Sequence, residues 1–472
     1  MSTRQQRNLL NTFVGIILIF SSLSLWAQIP STGSLTPEVI QSLRKSFKLD
    51  AHTKAIMNAV THNDVKKLAL NRQIIAGYDS LFSHRIETGK VTNQQKSGRC
   101  WLFAGLNIMR PIVQRKLNLK SFEFSENYLF FWDKMEKANF FLESILKTRT
   151  RNICDREVEF LLKHPFPDGG QWNFVVALIN KYGVVPKNIM PESQHSNNTR
   201  VMNGLISRKL RQDAAILRQM SEKGKSKSEL RARKTEMLAE IYRMLVLNLG
   251  MPPVKFQWRY KDKNGNLSEP KTYTPLEFFH QVVDISLDDY VCLYNCPAHP
   301  YNKLYQINLD RNMVEHPNLT FININIDSLK AVTLRSVLAN EPVWFGCDVG
   351  KESYIARGIM TPSIYDYEAI YDVDLKLNKK DRILYHDSVP THAMVFVGVD
   401  LVEGKPVKWL VENSWGMKRG CKGYLIMFDK WFDDYVYEVV INKKYLSPSV
   451  LALLKTKPIV LPPWDPMYSL LE

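Results

Sequence analysis

Cysteine is scarce in this chain: six in 472 residues. That excludes a scaffold built on disulfides, and if one thiol stays free for chemistry an odd number is left to pair. Nothing in the composition points to disorder or internal repeats. Acidic residues are outnumbered, 47 against 63 lysines and arginines, for a formal net charge of +16. The excess leaves an anionic partner open, such as nucleic acid or a membrane surface, beside the plainer reading of a basic soluble enzyme. Hydrophobic residues make up 45% and aromatics 11%. A chain of this length and composition builds a large core in two or three lobes.

A long hydrophobic run is also missing. The apolar stretch FVGIILIF at Phe13 to Phe20, continued through Leu25, is short for a membrane span. Arg4 and Arg7 precede it with no acidic neighbour, and Ala27 offers a small residue for cleavage. Residues 1–27 therefore read as a signal peptide, with an uncleaved membrane anchor as the alternative. The expected location is exported, periplasmic or secreted, with no stable membrane partner once the signal is removed.

Six segments are expected: the signal at 1–27, an N-terminal arm at 28–75, a helical lobe at 76–200, a helical insertion at 201–319, a strand-rich lobe at 320–450 and a tail at 451–472. Helices are predicted over 37–47, over 100–113 with a bend or break at Pro111, and over 124–146 with Ser125 as its cap. Residues 205–249 read as two helices joined at Gly224, with a basic cluster that includes Lys209, Arg231, Arg233 and Lys234. A solvated hairpin fits that cluster better than a nucleic-acid face, because aromatic residues for base stacking are absent from it. Strands are predicted over 321–326, 342–349, 392–399, 407–412 and 423–428. Helices in one half and strands in the other make an α+β, two-lobed chain.

The chemistry concentrates in two places. Residues 93–104 read NQQKSGRCWLFA, and 413–416 read NSWG. Cys100 opens an apolar helical run, where the positive end of the helix dipole favours a thiolate nucleophile. His392 opens a strand and is the candidate base. Asn413 follows it by 21 positions and can accept an imidazole N–H, fixing the tautomer without adding charge. Trp415 is placed to cover that bond. Gln94, with Gln95 as its neighbour and rival, is the candidate oxyanion donor together with the Cys100 backbone N–H. Gly169 and Gly170, in the turn Asp168-Gly169-Gly170-Gln171-Trp172, allow close backbone approach to a ligand. Cys292, Cys296 and His299 have metal-like spacing, but a fourth ligand is not evident. No metal or cofactor is expected.

Together these segments resemble the bleomycin hydrolase and aminopeptidase C branch of the papain-like cysteine peptidases. The likeness runs from about residue 60 to the end. It is carried by NQQKSGRCWLFA, FEFSENYLFFWDKMEK, DGGQW, PVWFGCDVGK, THAMVFVGVD, VENSWG, WFDDYVYEVVI and LPPWDPMYSLLE. The resemblance implies a papain-like fold with a helical insertion and a C-terminal tail in the cleft. It implies a thiol aminopeptidase with Cys100 as nucleophile, His392 and Asn413 as partners and Gln94 as oxyanion donor. A cysteine endopeptidase and a nucleic-acid-binding protein on this scaffold are the alternatives. Gly169 and Gly170 would carry the substrate backbone, and the terminal carboxylate of Glu472 would meet the substrate ammonium. A homohexameric ring acting on peptides is implied too. Tyr468 departs from the family, standing where a small residue is usual, and the export signal is a second departure.

Overall fold

The computed structural model describes residues 33–468. Two compact units are present, one ending at Leu68 and one beginning at Ala69. The expected signal at 1–27 and Glu472 lie outside the described residues. The first unit holds α1 (Pro37–Ser46) and α2 (Ala51–His62). Thr36 caps α1 with Pro37 in its first turn, and Asp50 caps α2.

The second unit opens its helical side with α3 (Cys100–Lys116). Pro111 sits inside α3 and the helix continues beyond it, so the expected break does not occur. Proline removes one amide donor, and burial of almost the whole helix in the core supplies the compensating packing. Then come α4 (Glu126–Thr148), capped by the Ser125 hydroxyl at 3.1 Å from Tyr128 N, α5 (Arg156–Lys163) and α6 (Trp172–Tyr182). The paired helices α7 (Arg200–Glu222) and α8 (Lys227–Leu249) pack on α4. Their buried residues recur every three or four positions: Met202, Ile206, Leu210, Leu217 on α7 and Leu230, Met237, Ile241, Leu245 on α8. Each helix therefore presents one apolar stripe.

Helix does not fill the expected insertion at 201–319. Beyond Leu249 the chain turns to strands: β1 (Tyr290–Tyr294) and β2 (Lys303–Ile307) join the main sheet. β1 lies between two other strands and its residues after Tyr290 are buried, an environment that favours its β-branched and aromatic side chains. The sheet continues with β3 (Thr320–Asn323), β4 (Val343–Cys347), β5 (His392–Val402), β6 (Lys405–Glu412), β7 (Tyr424–Phe428), β8 (Val436–Asn442) and β9 (Ile459–Leu461). Their spatial order is β9-β2-β3-β1-β8-β4-β5-β6-β7.

β5 is central, antiparallel to β4 with His392 opposite Cys347, and to β6 with Val395 opposite Glu412. Both of its faces are covered. Ala393, Val395 and Val397 enter the core shared with α3, while Met394, Phe396 and Val399 enter a second core with Trp409 and Phe432. The first half of β5 is therefore held rigidly from both sides, and that is the half that begins with His392. No helix among the described residues is long and apolar enough to cross a membrane.

Candidate active site

Cys100 is the first residue of α3 and is fully buried. Its position at the helix N-terminus places the sulfur beside unsatisfied amide donors and the positive end of the dipole. Arg99 just before it is locked: its guanidinium reaches Glu192 at 2.9 Å and Ser196 O at 2.6 Å, and its Nε donates to Ser97 Oγ at 2.9 Å. The same guanidinium lies over the rings of Phe103 and Phe130. The loop that delivers the thiol is thus clamped from inside. The C-terminal half of α3 is tied to the strand lobe by a buried ion pair between Arg110 and Glu412, the residue before Asn413. Trp344 Nε1 on β4 donates to Trp101 O at 3.1 Å.

These ties bring the start of β5 onto the thiol: the amide of Ala393 lies 3.4 Å from Cys100 Sγ. The preceding residue, His392, is buried, and its Nε2 is 2.9 Å from Asn413 Oδ1. Asn413 Oδ1 also accepts the Ser414 amide at 2.7 Å, which fixes the carboxamide with its oxygen toward the ring. An acceptor there makes Nε2 the protonated nitrogen and leaves Nδ1 for the thiol. The Trp415 ring lies 4.7 Å from the imidazole, tilted by 32°, over one face. Cysteine, histidine and asparagine meet as the sequence predicts.

Gln94 is buried on the same side. Ser414 Oγ donates to Gln94 Oε1 at 2.6 Å, and Gln94 N donates to Ser414 O at 2.8 Å. With its oxygen so occupied, the amide must present Nε2 as a donor. One N–H goes to Ser97 O at 2.6 Å, and the second is left for an oxyanion. Gln95, the rival, is exposed with φ of 54°, which turns it out of line. The two loops are joined further along: Gly416 N donates to Thr92 O at 3.0 Å, and Asn93 bridges Trp415. Gly416 has φ of 72°, and a Cβ there would stand 2.7 Å from Asn93 Nδ2. Only glycine fits, so this loop-to-loop seam explains the last letter of NSWG.

The turn 168–170 is more than a tight turn. Asp168 is buried and accepts the Gly98 amide at 3.2 Å, the Asn203 amide nitrogen at 2.6 Å and the Thr199 hydroxyl, and it pairs with Lys134 at 2.6 Å. Its backbone oxygen accepts Trp101 Nε1 at 3.0 Å. Burial would raise the carboxyl pKa, but Lys134 and the hydrogen bonds overcome it and hold Asp168 well below the usual carboxylate range. Lys137 Nζ donates to the carbonyl of Gly169 at 2.7 Å and pairs with Asp133 at 2.7 Å. Gly170 lies against Trp101, where a Cβ would stand 2.6 Å from the indole. Glycine is therefore required there by packing, and the nucleophile loop and the glycine turn are one unit.

Three functional groups escaped the sequence reading: Ser414, Lys134 and Lys137. The serine is inside a motif read for its neighbours. The lysines lie on a helix whose aromatics signalled only core, and nothing in their spacing shows that they are buried.

The metal-like cluster resolves differently. His299 Nε2 is 3.0 Å from Asp465 Oδ2, and burial lifts the Cys296 thiol to about 11. His299 thus anchors the tail, where Arg156 stacks on Trp464 at 4.1 Å and Met467 is buried. The Tyr468 ring meets Phe160 edge-on at 5.2 Å. In the α7–α8 hairpin, Lys209 pairs with Asp213 and Glu240, Arg231 and Lys234 with Glu143, and Arg233 with Glu236. Much of the basic cluster is neutralised on its own surface. All six cysteines are free thiols.

Residues 34–468 match the model of the peptidase C1-like family. Aminopeptidase C of Streptococcus thermophilus is 43% identical over 440 residues, covering 93% of this chain and 99% of that protein. Human (Homo sapiens) bleomycin hydrolase is 41% identical over 454 residues, covering 94% and 100%. The crystal structure of PepW from Lactobacillus rhamnosis superposes with a TM-score of 0.90 at 42% identity, covering 93% of this chain and 99% of that one.

Proposed function

This chain belongs to the peptidase C1-like family, and on that premise we propose that Cys100, His392, Asn413 and Gln94 form its catalytic centre. The protein is a cysteine aminopeptidase of the aminopeptidase C and bleomycin hydrolase kind, acting on peptides. The observation that carries the assignment is the imidazole held at 2.9 Å by Asn413 on a strand whose next amide touches the Cys100 sulfur.

The thiolate of Cys100 attacks the scissile carbonyl carbon. The carbonyl oxygen takes the negative charge and is met by the Cys100 amide and the second N–H of Gln94. His392, protonated at both nitrogens in the ion pair, gives its Nδ1 proton to the leaving amine as the C–N bond breaks. A thioester remains. Water, deprotonated by the now neutral Nδ1, cleaves it and restores the thiol–imidazole pair. Asn413 keeps the ring in plane throughout, and Trp415 shields that hydrogen bond from water.

Replacing Cys100 by Ser tests the assignment through release of aminomethylcoumarin from unblocked amino-acid amides. Turnover at the wild-type level would overturn it. Three further parts of the reading are ours. The tail places the Glu472 carboxylate against the substrate ammonium. The protein assembles as a homohexamer, checked by native mass spectrometry. Residues 1–27 direct export, checked by N-terminal sequencing of the native protein.

A further inference from the structure

A groove of about 790 Å³ begins at Trp415, the ring that covers His392. Its wall is made by Asn93, Gln95 and Lys96 on one loop and by Trp415, Met417, Lys418 and Arg419 on the other, with Ile355 beneath. Three cations line it and no carboxylate does. No salt bridge engages Lys96, Lys418 or Arg419 among the described residues. The basic hairpin α7–α8 differs in this respect, because its charges are largely spent on neighbouring glutamates and aspartates.

The groove lies on a definite side of the bond to be cut. The glycine turn stands on one flank of the nucleophile, with Gly170 against Trp101. Gln94 and Trp415 stand on the other. A peptide laid along Gly169 and Gly170 up to Cys100 continues past Gln94 toward Trp415. What enters the groove is therefore the part that follows the scissile bond. Its walls are fixed: Asn93 Oδ1 accepts the Gln95 amide at 3.0 Å, and the seam at Gly416 joins the two loops. The volume is within the usual range of ligand sites, with Trp415, Met417 and Ile355 offering an apolar floor for an aliphatic stem.

We propose that this groove selects carboxylates on the leaving side of the substrate, so that the enzyme prefers peptides carrying a negative charge just after the N-terminal residue. The inference rests on the aminopeptidase reading and names the substrate class for it. The charge has two sources, the side chain of Asp or Glu and the free C-terminus of a dipeptide. Both present the same group to the three cations. Partly solvated pairs of this kind are each modest and weaken with salt. Their sum sets a preference on the order of tenfold for Glu over Lys.

The test compares kcat/KM of the full chain on the peptide amides Ala-Glu-Ala, Ala-Gln-Ala and Ala-Lys-Ala, and on Ala-Ala with a free or an amidated C-terminus. The order Glu, Gln, Lys is expected, narrowing between 0.05 and 0.5 M salt (about 0.05 and 0.5 M, a Debye-length change that screens exposed charges). In Lys418→Glu and Arg419→Glu the Glu-to-Lys ratio falls or inverts. A gain confined to the free dipeptide assigns the groove to the peptide terminus, and a gain confined to Glu assigns it to the side chain. Equal rates across both series in the wild type overturn the proposal, as does a preference that both charge reversals leave unchanged. Should a variant fail to fold, the salt series on the wild type decides. Absence of turnover on all peptides and on alanine aminomethylcoumarin would instead strike the aminopeptidase reading itself.

Discussion

At the scale of single residues, the orientation of one amide decides whether an oxyanion donor exists. Gln94 can present either its oxygen or its nitrogen to the cleft, and the Ser414 hydroxyl settles the choice by occupying the oxygen at 2.6 Å. Gln94→Ala removes a donor aimed at the transition state and lowers kcat about 100-fold, the scale of oxyanion-hole losses. Ser414→Ala keeps the donor but frees the amide to rotate. The expected result is a smaller fall in kcat, roughly three- to tenfold, with KM little changed. Steady-state kinetics on alanine aminomethylcoumarin separates the two. Cys100, His392, Asn413 and Gln94 were legible in the sequence because each role follows from residue type within a short motif. Ser414 was on the page too, but its role depends on a partner 320 positions away, and no local signal announces that contact.

At the scale of elements, the site is assembled by buried charge as well as by apolar packing. Asp168 joins the nucleophile loop, the glycine turn, α4 through Lys134 and α7 through Thr199 and Asn203. Removing its carboxylate leaves Lys134 buried without a counter-ion. Asp168→Ala therefore destabilises the fold by about 3–5 kcal/mol, seen as a lower urea midpoint. Lys134→Met combined with Asp168→Ala recovers part of that loss, because the stranded charge is gone. The helices and strands around this hub were mostly readable from periodicity and caps. The breaks in that reading have physical causes. Pro111 fails to end α3 because the surrounding core holds the helix on both sides of it. The strands β1 and β2 were hidden in a segment read as helical, since a short apolar run such as 290–294 has no period that distinguishes strand from buried helix. The hub itself was illegible: Asp168, Lys134, Thr199 and Asn203 are polar residues whose burial only the assembled fold creates.

At the scale of the whole molecule, two carboxyl groups lie in the interior without adequate compensation. Neither oxygen of Asp310 has a hydrogen-bond partner within the protein. Burial pushes Asp310 to about 8, with only Lys137 opposing, and burial likewise pushes Glu438 to about 8. In the unfolded chain both titrate near the usual carboxylate values, about 4. Between those limits the folded protein holds more protons than the unfolded one. Stability therefore falls as pH rises from about 4 to about 8, and the penalty is absent below that window. Asp310→Asn abolishes one of these titrations. Its gain in urea midpoint over wild type should be larger at about pH 7.5 than at about pH 5, by that linkage.

The tail carries the remaining prediction. Its anchor is built: Trp464 under Arg156, Asp465 on His299 and Met467 in the core, with Tyr468 edge-on to Phe160. A tail held so firmly up to residue 468 restricts where the last four residues can reach, and the proposed role of the Glu472 carboxylate depends on that restriction. A chain ending at Tyr468 keeps the anchor and loses the charge that is proposed to hold the ammonium. An N-acetylated peptide, which the intact protein spares, should then be cut, and cleavage of unblocked peptides should spread from the first bond to internal ones. The proposal also requires that KM for short unblocked substrates rise in the truncated chain while turnover of the blocked peptide appears, since one charge both attracts the ammonium and fills the space that a longer substrate needs. Mass spectrometry of the products reads both effects at once. An identical cleavage pattern in the two forms would place the ammonium's partner elsewhere in the cleft, and the side chains of the fixed walls would have to supply it.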